Sequence, residues 1–384
     1  MFHIILNLND DYVKYASVLI SSIVKNTDTS KTFAKICEEN HNLTHILTLK
    51  QYNKSEEEEG YVFHILSDFI SDKTRMKLEY LKENLAKIYP CDIKIYIINE
   101  DNFRNFLHWK GNFVAYYRLM VGSILPPDIE KCLYIDADML CFSDIRKLFL
   151  FDLEDKVLGA VADFATWNTR FLKFRKLKYL FKGFLKFSRE YFNSGLLLID
   201  LKEWRRQNIE KKCLDVLKYY KCILPDQDAL NIVIKENYIK LPLSFNCPTV
   251  CYATNYLNII CKDEISSFSK LDYFKEVGMM YSKNELLEAL NKPLFLHYSE
   301  KPWARYYFLN SNYQPIIYSK DVFSMWQKEA FEVLCFKEDL ILLKNKDFFQ
   351  MNYIKFLAEK LSVIERKKYK LRRKLQILWD KINV

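Results

Sequence analysis

The sequence predicts an α/β layered domain built on a mostly parallel sheet. Three observations carry that expectation. Apolar runs of strand length alternate with helically spaced segments in the amino-terminal part of the chain. Acidic and amide side chains collect just past the ends of those runs, where ligands gather in open parallel sheets. Half of the 384 residues are hydrophobic, enough for a sizeable core, while 7 Gly and 9 Pro leave little room for long linkers.

The run "FHIILNLN" ends in polar residues and reads as the first strand. "YVKYASVLISSIVKNT" follows with Tyr15, Val18, Leu19, Ser22 and Ile23 at helical spacing. "GYVFHILSD" is a second strand, Arg75 to Ile88 a helix, and "CDIKIYIIN" a third strand. "AYYRLMVGSIL" reads as helical and stops before Pro126-Pro127. "CLYIDADML" is the next strand, and its end places Asp136 to Asp138 beside Asn9 to Asp11. Residues 28–60 break this rhythm. They are polar, weakly periodic and end in a run of glutamates, and they read as an insertion between the first helix and the second strand. Cys37, His41 and His45 in it have a spacing that could line one helix face, but no fourth metal ligand stands near, and a solvated surface segment is the better reading.

The net charge of +9 is concentrated in two places. Trp167 to Arg189 holds eight Lys/Arg and no acid, and the last 24 residues hold eight Lys/Arg against Glu365 and Asp380. In the tail, Leu357, Leu361, Ile364, Leu371, Leu375, Leu378 and Ile382 recur at helical spacing with Arg366, Lys367, Lys370, Arg373 and Lys374 between them. A basic amphipathic helix of this kind suits an anionic membrane surface; the alternative is a helix packed on the main domain. None of the ten cysteines forms a C-x-x-C pair, and several lie in apolar runs, which points to reduced thiols in a cytosolic protein. The first residues lack a basic n-region, and no run approaches a membrane-spanning length, so a secretory leader and a transmembrane helix are not expected.

"KCLYIDADMLCF" is the most informative stretch. Two carboxylates at i and i+2 past a strand can hold a hard divalent cation through oxygen ligands. They also suit a phosphohydrolase, with the first Asp as nucleophile and the second as acid/base. A solvated turn is the third reading. Other segments add to it. "YFNSGLLLIDLKEWR" reads as a strand with an exposed Asn-Ser-Gly at its start and a helix entry at its end. "PDQDALN" places Asp226, Gln227 and Asp228 at a helix N-terminus, where carboxylates are favoured. "LFLHYSEKPW" offers His297 at a strand end and Lys301 four residues on.

In order and wording these segments resemble glycosyltransferase family 8, the retaining nucleotide-sugar transferases of bacterial lipopolysaccharide and lipooligosaccharide assembly. The resemblance covers residues 1–305 apart from the insertion. It implies a GT-A fold, a Rossmann-like mixed sheet flanked by helices, followed by a helical region 306–384 with its basic tail, 357–384. It also implies a Mn2+ (or Mg2+) site held by Asp136, Asp138 and His297, with Lys301 as a second positive contact to the diphosphate. Asn9 and Asp11 match the end of the first strand, which receives the base and ribose. Asn9 stands where the family often has Asp. Arg118 matches the arginine that reaches the donor, along with Asp136 and the Asn193-Ser194 pair. Asp163, Asn193 and Asp226 resemble residues that hydrogen-bond the transferred sugar, and Gln227 the residue facing the anomeric carbon. "HYSEKPW" is about two residues shorter than common family versions and lacks their glycine.

An uncharged amide is a poor nucleophile, so same-face attack by the acceptor is the expected route, and the two-carboxylate glycosidase scheme is absent. The basic aromatic segment 167–189 corresponds to a lid or acceptor-side loop. Its aromatic faces and cations suit sugars, phosphates or lipid headgroups. Nucleic acid is not an expected partner, because no binding module accompanies it. Together these points lead to the expectation of a UDP-sugar-dependent hexosyltransferase (galactose or glucose) acting on a lipid-linked oligosaccharide. It would work in the cytoplasm, peripheral on the inner membrane. The alternatives are a haloacid dehalogenase-type phosphohydrolase, which usually has Thr or Val where Leu140 stands, and a non-catalytic membrane-bound scaffold.

Overall fold

A computed structural model describes residues 1–40, 59–104, 106, 112–163, 171–174, 184–186, 191–222, 224–252, 281–298, 301–303 and 321–338. The tail 357–384, most of the basic segment 167–189, and both His41 and His45 lie outside the described residues.

The strands are β1 (Phe2–Asn7), β2 (Tyr61–Ser67), β3 (Cys91–Ile97), β4 (Lys131–Ile135), β5 (Met139–Cys141), β6 (Leu158–Ala162), β7 (Phe171–Phe174), β8 (Phe184–Lys186), β9 (Phe192–Asp200), β10 (Tyr220–Lys221), β11 (Tyr238–Lys240), β12 (Cys247–Pro248) and β13 (Phe295–His297). Seven of them form the main sheet in the order β11-β6-β9-β4-β1-β2-β3. β9 is antiparallel to both of its neighbours, β4 and β6, and every other pair is parallel. The central strands are buried on both faces, which is why they read as continuous apolar runs rather than as alternation. Ile4, Leu6, Leu133, Ile135, Leu196 and Leu198 fill the core on one face. Ile5, Cys132, Tyr134, Leu197 and Ile199 fill the other. The one-residue offset between these sets is half the two-residue period of a strand, which sends successive side chains to opposite faces.

Helices close both faces. Val13–Lys25 buries most of its length on the first face. Asp72–Leu85 starts at Ser71, whose side chain accepts from Thr74 N, and turns Leu78, Leu81 and Leu85 inward. Trp204, Cys213, Leu217 and Leu230, from three successive helices, cover the second face. The segment expected as one helix at 115–125 is a 3-10 turn, Val114–Met120, followed by a short α-helix, Val121–Ile124.

Two expectations change. "CLYIDADML" is not one strand. It is β4 and β5, separated by Asp136 to Asp138, and β5 leaves the main sheet to join a small one ordered β12-β13-β5. Within the polar insertion, Phe33–Asn40 is a helix that buries Phe33 and Ile36 in the core. The fully buried Arg146 ties the ends of the insertion together. Its guanidinium donates to Asp144 Oδ2 at 2.6 Å, Glu59 Oε2 at 2.9 Å, Asp28 O at 2.7 Å and Lys31 O at 2.9 Å. A buried guanidinium is tolerable only when charge and donors are met in this way. In segment 167–189 the described backbone is extended: β7 pairs antiparallel with β8 and with β10. The cysteines among the described residues are free thiols, as their apolar settings suggested.

Candidate active site

β4 ends at Ile135, and the chain then turns Asp136 and Asp138 out of the sheet edge. β9 runs the opposite way, so its beginning, not its end, meets that edge. Ile135 pairs with Leu196, and Asp136 N donates to Gly195 O at 2.8 Å. This brings Asn193 and Ser194 to the carboxyl end of β4. The Asn-Ser-Gly expected to be exposed is instead largely enclosed, with Ser194 buried.

His297 arrives through the small sheet. β13 pairs antiparallel with β5, setting His297 opposite Met139 and hence beside Asp138, and Tyr298 N donates to Asp138 O at 2.9 Å. His297 Nε2 lies 3.5 Å from Asp138 Oδ1. One ligand atom from each of Asp136, Asp138 and His297 falls within a span of 4.8 Å. Lys301 Nζ contacts Asp138 Oδ2. Gly195 keeps the space between them open: a Cβ there would stand 2.6 Å from His297 Cε1 and 3.0 Å from Asp136 Oδ2. Two carboxylates and an imidazole around a gap that a single methyl group would close suit a divalent ion that accepts both oxygen and nitrogen, such as Mn2+.

Arg118 backs the acids. It is buried, with Nη2 donating to Asp136 Oδ1 at 2.8 Å and Nη1 to Ser194 O at 2.7 Å and Ser194 Oγ at 3.0 Å. Its Nε lies 3.2 Å from Asp226 Oδ2, an ion-pair contact outside good hydrogen-bond geometry. The guanidinium packs over the Tyr134 ring, whose hydroxyl donates to Asp136 Oδ1 at 2.6 Å. Asn7, at the end of β1, donates to Val114 O at 3.0 Å and so anchors the turn that carries Arg118. Burial alone would push the Asp136 carboxyl up. Arg118 foremost, with the Tyr134 hydroxyl and Lys301, outweighs it and holds the group below the usual range. Asp226 goes the other way: burial raises it, and the nearby Asp136 charge adds to that against Arg118. Burial likewise keeps His297 below its ordinary value despite Asp136 and Asp163, so its ring is neutral, the form that ligates metals.

The other wall consists of Asp163, Asn193 and Gln227. Asp163 follows β6, and its Oδ2 accepts from Asn193 Nδ2 at 2.9 Å and Gln227 Nε2 at 2.7 Å. Gln227 lies in the first turn of Pro225–Ile234, which begins with proline. Its Oε1 accepts from Ser194 N at 2.9 Å and Ser194 Oγ at 3.2 Å, and Ser194 Oγ also lies 3.1 Å from Asp226 Oδ2. Asp163, Asn193, Ser194, Asp226 and Gln227 therefore form one network with Arg118 and Asp136. Asn9 and Asp11 reach the same edge because β1 runs parallel beside β4. Asn9 accepts from Tyr12 N at 3.1 Å, and Asp11 is exposed. Among the described residues neither is hydrogen-bonded to the acidic cluster.

Three contributors escaped the sequence reading: Tyr134, Gly195 in its spacing role, and Asn246. Tyr134 is an apolar-run residue until its hydroxyl meets Asp136. Asn246 sits in "LSFNCP", and only its enclosure, at 2% exposure, marks it.

The profile of Glycosyl transferase family 8 matches residues 3–306. A lipopolysaccharide 1,2-glucosyltransferase of Escherichia coli is 27% identical over 217 residues, covering 55% of this chain and 60% of that protein. The chain thus matches less than two thirds of this relative's length. Among solved structures, the WbbM bifunctional glycosyltransferase superposes with a TM-score of 0.59 at 18% identity, covering 88% of this chain and 51% of that one. The galactosyltransferase LgtC, solved with donor and acceptor sugar analogues, gives a TM-score of 0.52 at 22% identity, covering 86% and 96%. The fold is the GT-A arrangement, a mixed sheet flanked by helices.

Proposed function

This chain belongs to glycosyltransferase family 8, and from that premise we propose that it transfers a hexose, galactose or glucose, from a UDP-sugar with retention of configuration. The acceptor in this reading is a lipid-linked oligosaccharide of bacterial lipopolysaccharide or lipooligosaccharide assembly. The observation that carries it is the meeting of Asp136, Asp138 and His297 beside the Asp163–Asn193–Gln227 wall. The two groups lie side by side as a metal-diphosphate subsite and a sugar subsite would.

Asp136, Asp138 and His297 would hold Mn2+, or less aptly Mg2+, which prefers all-oxygen shells. When bound, such an ion neutralises charge that builds on a departing diphosphate. Lys301, beside Asp138, adds a second positive charge on that side. Arg118 keeps Asp136 ionised and aimed outward. Asp163, Asn193 and Asp226 offer acceptors and donors to sugar hydroxyls. Gln227 has both ends of its amide engaged, by Asp163 and by Ser194. That favours a route without a covalent intermediate: the acceptor hydroxyl attacks on the face the diphosphate leaves, and the departing phosphate oxygen takes its proton. Asn9 and Asp11 are proposed to meet the base and ribose.

The test is a panel of UDP-sugars with Mn2+ and no acceptor, scored for slow hydrolysis by the purified protein. UDP-galactose or UDP-glucose is expected to turn over, and EDTA to stop it. Phosphate release from simple phosphoesters without any UDP-sugar hydrolysis would move the assignment to the phosphohydrolase. Inertness toward both would leave the scaffold.

No helix of the described residues is long and apolar enough to cross a membrane. We place the enzyme at the cytoplasmic face of the inner membrane, held by the basic tail 357–384 and by segment 167–189. Deleting residues 361–384 should release the protein from anionic vesicles and leave transfer to a soluble acceptor intact. Undiminished vesicle binding would count against this placement.

A further inference from the structure

We propose that Asn246 is a positioning residue for His297, fixing which nitrogen of its ring faces the two aspartates. The inference rests on the donor-transfer reading above. Asn246 ends the turn Leu243–Asn246, immediately before β12, and β12 pairs in parallel with β13, Pro248 opposite His297. The pairing holds the asparagine against the histidine from behind.

The polarity of the hydrogen bonds carries the argument. Asn246 Oδ1 lies 2.9 Å from His297 Nδ1, and Asn246 Nδ2 lies 2.9 Å from Asn193 Oδ1. Asn193 Oδ1 also accepts from Gly195 N at 2.9 Å, and Asn193 Nδ2 donates to Asp163 Oδ2 at 2.9 Å. A carboxylate only accepts, so the chain ends at Asp163 and every donor upstream must point toward it. Reversing the Asn246 amide would set its oxygen against Asn193 Oδ1, which Gly195 N already holds as an acceptor. Asn246 Oδ1 therefore faces His297, and Nδ1 must carry the ring proton. The tautomer follows from the network rather than from an observed hydrogen. The neutral ring then turns the Nε2 lone pair toward Asp136 and Asp138. The same chain links the metal subsite to the sugar subsite, so a tilt of His297 is transmitted to Asn193 and Asp163.

Groups that orient a ligating histidine typically change metal affinity about 10–100-fold when removed. The experiment titrates Mn2+ alone into the full chain, with free Mn2+ read by electron paramagnetic resonance. Asn246→Leu, similar in volume but without polar atoms, should bind Mn2+ about 10–100-fold more weakly. Asn246→Asp restores an acceptor to Nδ1 but sets its second oxygen against Asn193 Oδ1, so it should recover part of that loss and no more. A packing role alone predicts the opposite pattern, with Leu as good as wild type. A second measurement needs no variant: the 15N shifts of the His297 ring in metal-free protein should report the Nδ1–H tautomer, and an Nε2–H ring overturns the proposal. Wild-type protein that binds no Mn2+ would remove the donor-transfer reading and this inference together. Wild type that binds, with a Leu variant that binds equally, removes the inference alone.

Discussion

Replacing Asp138 by alanine should lower turnover about 10³-fold while changing stability by no more than about 1 kcal/mol. The first figure follows from the metal. Charge stabilisation by a bound cation is worth several kcal/mol, and each 1.36 kcal/mol is about tenfold in rate. The second follows from the surroundings. The cationic partner of Asp138 is Lys301, whose side chain is 28% exposed, so water can take over when the carboxylate is gone. Asp136→Ala should differ in kind. Its carboxylate also receives Arg118 Nη2 and the Tyr134 hydroxyl, both buried, so that variant should lose activity and stability together. Initial rates with UDP-sugar and Mn2+, alongside urea unfolding, separate the two. An Asp138→Ala enzyme with ordinary turnover would remove the metal from the mechanism.

Arg118→Ala should be among the most damaging changes to the fold itself, at about 3–5 kcal/mol, the cost of leaving a buried carboxylate without its partner. Here two are left, Asp136 and Asp226. The deficit should depend on pH, in a direction the carboxyls fix. Burial already holds Asp226 above its ordinary pKa with Arg118 in place. Without the guanidinium Asp226 rises further above the unfolded value of about 4, and Asp136 loses the main charge that holds it down and rises as well. An acid whose folded pKa is raised binds more protons folded than unfolded between the two values, so stability falls as pH rises through that window. The variant should be weakest at neutral pH and recover as pH drops through the folded-state pKa toward about 4. Urea unfolding of both proteins between pH 7 and 4 checks this. A loss under about 1 kcal/mol, or one that does not change with pH, would show that the arginine is not the counter-charge of this cluster.

The strand ends were legible because burial on both faces forces an apolar run, and a cluster of polar residues marks where the run leaves the core. That logic found Asp136, Asp138, Asn193 and His297, and the Pro225 start of a helix found Asp226 and Gln227; Asp163 was singled out through the family resemblance alone. It failed at "CLYIDADML", because hydropathy is blind to a strand changing sheets. Met139 to Cys141 is as apolar as Cys132 to Ile135, yet it pairs with β13. It failed again at Phe33–Asn40, where two core residues, Phe33 and Ile36, are too little periodicity to announce a helix. Arg146 looks like a surface residue until Asp144, Glu59 and two carbonyls enclose it.

By itself the sequence determined which chemical groups stand at the sheet edge and in what order along the chain, since each lies where an apolar run gives way to polar residues. Only the tertiary structure decided that His297 lies beside Asp138, that Gly195 leaves room between them, and that Asn246 joins His297 to Asn193. Those relations depend on the reversed direction of β9 and on the register of β13 against β5. Strand direction and register are set by which neighbours pair across long stretches of chain, and no local pattern encodes that choice.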